Sequence, residues 1–176
     1  MQFRLASDNV IHSFWIPSLA GKMDMIPGRI TNLSIRPAAT GVFRGACAEY
    51  CGTAHALMSL YVEVMPREEF ERWLALQSRP AQPADAAAGR DLFLANGCSA
   101  CHTIRGTPAN GAIGPDLTHV GTRLSLAAGI LPNEPEAFLR WIARTEEIKP
   151  GVHMPAFGML PDGELQALAV YLEQLK

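Results

Sequence analysis

The strongest constraint on the fold lies in the segment from Cys47 to Met58, which carries two thiols, an imidazole and a thioether. Cys47, Cys51, His55 and Met58 are a few residues apart, and Gly52 gives the backbone between them the freedom to turn back on itself. Thiolate, thioether and imidazole donors suit copper far better than calcium or magnesium, which prefer oxygen. The segment therefore predicts a metal-binding loop.

A loop this short does not supply a complete ligand set, so a second imidazole is expected upstream. His12 is the candidate, because it lies in an apolar segment that ends with Trp15. Two alternatives remain for the thiols of Cys47 and Cys51, which are a disulfide bond and a clip for zinc.

A second pair of cysteines forms the motif Cys98-x-x-Cys101-His102. This spacing is typical of c-type haem attachment, in which two thioether bonds hold the porphyrin and the adjacent imidazole binds the iron. The same short motif also occurs in zinc and redox proteins. Each of the four cysteines thus has a metal or haem role, and none is left for a structural disulfide.

Composition and charge exclude several other classes of function. The chain has 176 residues, 18% of them charged, and a formal net charge of -2, so it carries no sign of nucleic-acid binding or of a polybasic membrane patch. No apolar run approaches the roughly 20 residues that span a bilayer, and the N-terminus lacks the pattern of a signal peptide. The chain starts within an apparent strand, so we expect further sequence upstream.

Short alternating apolar segments precede residue 66, and helical periodicity follows it. Prolines and glycines between residues 17 and 28 indicate a long irregular loop within the first part. The last helix is predicted to bury an apolar stripe formed by Leu165, Leu168, Ala169 and Leu172. Pro80 and Pro83 lie in a stretch without apolar periodicity, which indicates a linker. The predicted organisation is a β domain at residues 1–77, a linker at 78–84 and an all-helical domain at 85–176.

Four segments of the first domain resemble the CuA domain of cytochrome c oxidase subunit II. They are residues 10–17, 21–24, 26–29 and 47–58. The resemblance implies a cupredoxin-like Greek-key sandwich or barrel with a dinuclear copper centre. It assigns as copper ligands His12, Cys47, Cys51, His55, Met58 and the carbonyl of Glu49.

The resemblance has further implications for this domain. The Glu49 carboxylate is expected to reach a magnesium site shared with subunit I; the alternative is a solvated loop charge. The family's membrane anchor and first strands are absent from this sequence, so we expect an N-terminally truncated sheet with an exposed edge.

The second domain resembles a class I cytochrome c. Beyond the haem motif, the resemblance rests on Gly114-Pro115-Asp116-Leu117, on Met154-Pro155 and on Tyr171-Leu172. It implies an all-α fold in which Met154 is the sixth iron ligand, with Met159 as a weaker candidate. Arg123 and Trp141 match positions near the haem propionates. His119 and His153 are expected at the surface or beside the ligands.

Together the two resemblances indicate the subunit II of a bacterial caa-type oxidase, on the periplasmic face of the inner membrane. They imply electron transfer from haem c to copper and on to haem in subunit I, with no catalytic residue in this chain. Expected partners are subunits I and III and an upstream cytochrome or quinol-oxidising complex, with membrane contact only through an anchor or these subunits.

Two alternatives of other classes stay open. One is a fragment of a copper reductase such as nitrous oxide reductase, which also uses a CuA domain. That enzyme needs a second, histidine-rich copper cluster, and only five histidines occur here. The other is a free-standing copper-haem electron shuttle.

Overall fold

The computed structural model describes residues 1–82 and 85–176. These residues divide into two compact units: unit 1 is Met1–Phe70 with Ala128–Ile130, and unit 2 is Glu71–Ala127 with Leu131–Lys176. The division lies before residue 78, where the sequence analysis starts the linker. Residues 83 and 84 of that linker lie outside the described ranges. The domain bounds 1–77 and 85–176 stay a prediction.

Unit 1 contains two antiparallel sheets. Strands β1 (Gln2–Leu5) and β4 (Thr31–Ser34) form the smaller sheet. The larger sheet has the order β3-β2-β5-β6, with its strands at Met23–Met25, His12–Trp15, Gly41–Cys47 and Ser59–Val64. This β-rich unit confirms the predicted cupredoxin-like class.

Strand β3 corrects the sequence analysis, which assigned a long irregular loop to this region. Pro17, Gly21 and Pro27 suggested the loop, and β3 is only Met23–Met25. Its pairing with β2 is what makes it a strand, with His12 opposite Met25. Local sequence patterns do not predict pairing with a strand from another segment of the chain, such as β2.

Strand β2 is central to the larger sheet and is fixed on both sides. Ser13 is buried, and its hydroxyl donates to Asp24 Oδ1 at 2.8 Å, which ties β2 to β3. Phe14 contacts Phe3 of β1 with ring centroids 5.4 Å apart. Ile16, directly after β2, is almost fully buried. These contacts hold the strand that carries His12.

Unit 2 is helical, as predicted. Helix α1 (Arg67–Gln77) includes the division between the units. The remaining helices are α2 to α5, at Ala87–Ala95, Pro135–Ala143, Thr145–Ile148 and Asp162–Glu173. Among the helices in the described ranges, none combines the length and the apolar character needed to cross a membrane.

Helices α2 and α5 pack closely because α2 has a glycine at their contact. A Cβ atom at Gly89 would lie 2.2 Å from the Ala167 carbonyl oxygen, so a larger side chain would separate the helices. Phe93 and Tyr171 meet edge to face with centroids 6.0 Å apart. The predicted apolar stripe of α5 is buried at Leu165, Leu168, Ala169 and Leu172.

Candidate metal and haem sites

The candidate metal loop begins where β5 ends and closes where β6 begins. Cys47 N–H donates to the Met58 carbonyl at 2.9 Å, which pairs the two ends of the loop. His55 N–H donates to the Gly52 carbonyl at 3.0 Å and starts a single 3-10 turn. Gly52 has a φ of 126°, a conformation that glycine adopts without strain. These bonds turn the loop back on itself, as the sequence predicts.

The loop brings its sulfur and nitrogen atoms into one cluster with His12. The Sγ atoms of Cys47 and Cys51 lie 3.7 Å apart. His12 Nδ1 lies 3.8 Å from Cys47 Sγ, and His55 Nδ1 lies 3.5 Å from Cys51 Sγ. Met58 Sδ lies 3.9 Å from Cys51 Sγ. Each thiol therefore faces one imidazole ring.

Strand register explains how His12 reaches a loop so distant in sequence. Phe14 of β2 pairs with Cys47 of β5, and Ala48 N–H donates to the Ser13 carbonyl at 2.9 Å. Opposite residues of paired strands share a face of the sheet, as do alternate residues along one strand. His12 and Phe14 therefore lie on the face that also carries Cys47.

Glu49 contributes its backbone to this cluster. Cys47 Sγ donates to the Glu49 carbonyl oxygen at 3.2 Å, so this oxygen lies beside the Cys47 thiol. That placement agrees with the predicted role of the carbonyl as a weak ligand. The role of the carboxylate in magnesium binding stays a prediction.

The donor set fits copper. Ligand atoms of His12, Cys47 and Cys51 lie within 4.8 Å of one another, and all three residues are half-buried. Thiols and imidazoles are the donors that copper prefers, and no carboxylate belongs to this group. All four cysteines lie in the described ranges, and none of them forms a disulfide.

The haem motif follows α2 directly. Gly97 has a φ of 74° and ends the helical path, after which Cys98–Ala100 forms a 3-10 turn. His102 N–H donates to the Cys98 carbonyl at 3.0 Å, which keeps the motif compact. Burial raises the pKa of the Cys98 thiol, with a smaller contribution from the nearby Cys101.

His102 is buried and its ring orientation is fixed. His102 Nδ1 lies 2.8 Å from the Pro115 carbonyl oxygen, which only accepts hydrogen bonds. Nδ1 is therefore protonated, and Nε2 keeps a lone pair for a metal. A Cβ atom at Gly114 would lie 2.5 Å from His102 Cε1, so glycine leaves the room that the ring occupies. The site fits an iron ligand at Nε2.

Met154 is half-buried, and its backbone is held by a buried side chain. The Thr145 hydroxyl donates to the Met154 carbonyl at 2.9 Å, and Thr145 is fully buried. Met159 is 76% exposed. The difference in burial favours Met154 over Met159 as the sixth ligand.

The remaining predicted haem residues have distinct surroundings. The Arg123 guanidinium donates to the Asp116 carbonyl, and burial lowers its pKa while Asp116 opposes that shift. Trp141 is half-buried on α3. His119 is buried, not at the surface, and its Nε2 lies 3.1 Å from the Arg79 carbonyl. His153 is exposed, as predicted.

The sequence analysis missed a polar network beside Pro115. Asp116 Oδ1 accepts from the Thr118 N–H at 2.8 Å and from the Thr118 hydroxyl at 2.5 Å, and Arg105 Nε lies 3.7 Å from Asp116 Oδ2. Burial alone would raise the pKa of Asp116, but these hydrogen bonds together with Arg105 and Arg123 lower it. An Asp two residues before a Thr is a recognisable local turn signal.

Unit 1 and unit 2 together define a protein that joins a β domain with a soft-metal site to a c-type cytochrome domain. Residues 1–65 match the family of the periplasmic domain of cytochrome c oxidase subunit II, and residues 86–176 match the cytochrome c family. The second match covers more than half of the chain, so the chain belongs to the cytochrome c family, with the subunit II periplasmic domain ahead of it. Both matches confirm the predicted combination of domains and imply copper in the first and haem in the second.

Relatives share both parts of the chain. Cytochrome c oxidase subunit 2 of Alkalihalophilus pseudofirmus is 37% identical over 99% of this chain and 51% of the relative. The protein of the same name from Bacillus subtilis is 35% identical over 99% of this chain and 52% of the relative. The chain thus spans about half the length of these relatives.

A solved structure also overlaps with part of the chain. It is the periplasmic domain of subunit II of cytochrome oxidase from Bradyrhizobium japonicum, with 36% identity. The overlap covers 43% of this chain and 54% of that chain, with a TM-score of 0.41.

Proposed function

We propose that the chain is part of subunit II of a bacterial caa-type terminal oxidase and transfers electrons without itself reducing oxygen. Electrons would pass from haem c to a dinuclear copper centre and on to haem in subunit I, where oxygen is reduced. The observation that carries the proposal is the cluster in which each thiol of the Cys47 and Cys51 pair faces one imidazole. The oriented His102 in the same chain supplies the second electron-transfer site.

At the copper centre, the thiolates of Cys47 and Cys51 would hold two copper ions together with Nδ1 of His12 and of His55. The thioether of Met58 and the carbonyl of Glu49 are weak ligands. Copper ions held by this donor set would supply the one-electron couple of the site.

The backbone of the loop prepares this geometry. The bond from Cys47 N–H to the Met58 carbonyl and the bond from Ala48 N–H to the Ser13 carbonyl fix the loop to the sheet. The sulfur and nitrogen donors are therefore held close together by hydrogen bonds of the protein itself.

In the haem site, Cys98 and Cys101 would attach the haem through thioether bonds, and His102 Nε2 and Met154 Sδ would bind its iron. Haem c supplies a one-electron couple, whose potential is expected to be raised by a His/Met ligand pair. Arg123 and Trp141 lie near the propionates in this assignment. The buried Thr145 holds the backbone at Met154.

The partners and the location follow from the same assignment. We place the chain on the periplasmic face of the inner membrane, in a complex with subunits I and III. The Glu49 carboxylate binds magnesium at the interface with subunit I. A cytochrome or a quinol-oxidising complex donates electrons to the haem.

The test is a spectrum and a metal analysis of the chain matured with haem and reconstituted with copper. The expected result is a c-type haem band, a mixed-valence copper band in the near infrared, and two copper ions and one haem per chain. Zinc in the loop, or less than one haem per chain, would contradict the proposal. After rapid photoreduction of the haem, the copper band should bleach as the haem reoxidises.

A further inference from the structure

The hydrogen bonds of His12 differ at its two ring nitrogens. Nδ1 faces the metal cluster, 3.8 Å from Cys47 Sγ. Nε2 points the other way and lies 3.0 Å from Asn9 Oδ1. Asn9 precedes β2 and is not one of the residues to which the sequence analysis gives a role.

A backbone group decides which atom of the Asn9 amide faces His12. Val10 N–H points at the same Asn9 atom from 2.7 Å. A backbone N–H can only donate, so that atom must be the carbonyl oxygen and not the NH2 group. The oxygen accepts, and His12 Nε2 must therefore be the donor in the neutral ring. Nδ1 is then left without a proton and with its lone pair toward the thiols.

Ser7 holds Asn9 in this orientation. The Ser7 hydroxyl donates to the Val10 carbonyl at 2.5 Å, and Asn9 N–H donates to Ser7 Oγ at 3.4 Å. The turn is thus closed by its own side chains, and the Asn9 rotamer is set within it.

The second imidazole has a different environment. His55 Nδ1 faces Cys51 Sγ at 3.5 Å, and its ring contacts the Tyr50 ring with centroids 5.7 Å apart. Across the described residues, no hydrogen bond is recorded for His55 Nε2. The two rings are therefore oriented by different means, an amide oxygen for His12 and an aromatic contact for His55.

We propose that Asn9 is a positioning residue for the copper centre, which holds His12 as the Nε2–H tautomer so that Nδ1 is ready to bind copper. The role in copper binding rests on the proposed function, whereas the tautomer follows from the hydrogen bonds of Asn9 and can be measured without copper. A metal-bound imidazole whose other nitrogen donates to an oxygen is better oriented and more basic, and loss of such a partner lowers metal affinity about 10- to 100-fold.

The experiment compares the full chain with N9A, N9D and, as a matched control, N32A. Asn32 is an exposed asparagine on β4 of the same unit. Nitrogen-15 NMR of the metal-free, reduced chain in alkaline buffer reports which nitrogen of His12 carries the proton. Competition with a chromogenic Cu(I) chelator measures copper affinity.

The expected result is the Nε2–H tautomer in the original chain, in N32A and in N9D, whose carboxylate also accepts. N9A should show a mixture of tautomers and copper affinity lower by about 10- to 100-fold, and N9D should restore most of that loss. An unchanged tautomer and affinity in N9A, or an Nδ1–H tautomer in the original chain, would overturn the proposal. Failure of the chain to form a mixed-valence copper centre would instead overturn the proposed function, while the NMR result would still decide the role of Asn9.

Discussion

The two candidate sites each place paired cysteines beside imidazole, but by different structural means. In unit 1, His12 comes from one strand and Cys47 from another, and sheet register brings them to 3.8 Å. In unit 2, Cys98, Cys101 and His102 are adjacent in sequence, and a loop carbonyl at Pro115 orients the ring. Strand pairing therefore brings His12 to the predicted copper site, whereas loop packing orients His102, the predicted haem ligand.

The comparison also shows one shared device. In both units an oxygen outside the ligand set holds an imidazole by one nitrogen and leaves the other available, Asn9 for His12 and Pro115 for His102. The available nitrogen is Nδ1 at the copper site and Nε2 at the haem site. Which nitrogen is available depends on the other one, because the oxygen binds Nε2 of His12 but Nδ1 of His102.

Replacement of a cysteine of the predicted copper site should give the largest effect and tests whether the two sites are independent. C47S removes a thiolate that would bind copper in the proposed centre, and a hydroxyl is a harder and weaker ligand for copper. We expect complete loss of the mixed-valence near-infrared band with an unchanged c-type haem spectrum. The reciprocal variant C98A should keep the copper band. Loss of the copper band in C98A would show that the sites depend on each other.

A larger side chain beside His102 tests whether packing of the loop at Gly114 fixes the orientation of the His102 ring. G114A puts a Cβ atom 2.5 Å from His102 Cε1 and 2.7 Å from its Nδ1, so the ring must leave the Pro115 carbonyl or the loop must move. Overpacking of this kind costs about 1–3 kcal/mol of unfolding free energy. Thermal unfolding, followed by haem absorbance, measures this loss of stability. G163A, where a Cβ atom has no neighbour within 4 Å, is the control and should not destabilise the chain.

Removal of the hydroxyl behind Met154 should have a smaller effect at the other axial ligand. T145V keeps the shape of a fully buried side chain and leaves the Met154 carbonyl without its hydrogen bond. We expect a loss of about 1 kcal/mol in unfolding free energy and a weaker charge-transfer band of the methionine-ligated ferric haem. An unchanged band in T145V would show that the Thr145 hydroxyl does not position Met154.

Sequence reasoning worked where the chemistry was local. The spacing from Cys47 to Met58 defined a soft-metal loop, and its incomplete donor set led to His12, which the structure places 3.8 Å from Cys47 Sγ. The apolar stripe of α5 was also local, because it depends on helical periodicity alone.

Sequence reasoning failed where the local structure depends on contacts with a distant part of the chain. Strand β3 exists through its pairing with β2, which comes from a separate segment of the chain. Asn9 looked like an ordinary turn residue, since its bond to His12 depends on the rotamer that Ser7 and Val10 impose. These contacts require strand register and side-chain geometry, which no spacing rule provides.

The smallest predicted effect is a pH dependence in the loop beside His102. Asp116 has a pKa below its ordinary value of 3.8 in the folded chain, because bonds from Thr118 and the charges of Arg105 and Arg123 outweigh burial. Its ionised form therefore stabilises the fold above the ordinary pKa, and this contribution disappears as the pH falls through the lowered pKa. Asp116 is largely exposed, so solvent screening keeps the effect small.

D116N should lose this contribution at neutral pH and should show a smaller drop in stability between neutral and acidic pH than the original chain. Urea midpoints followed by haem absorbance at both pH values measure the difference. D91N, which removes an exposed carboxylate paired with Arg90, is the control and should keep the original pH dependence. Equal pH dependence in D116N and the original chain would mean that the Thr118 and Arg105 contacts do not stabilise the loop. The Pro115 carbonyl would then be held by the backbone alone, and His102 would depend only on main-chain atoms, unlike His12, which is held by the side chain of Asn9.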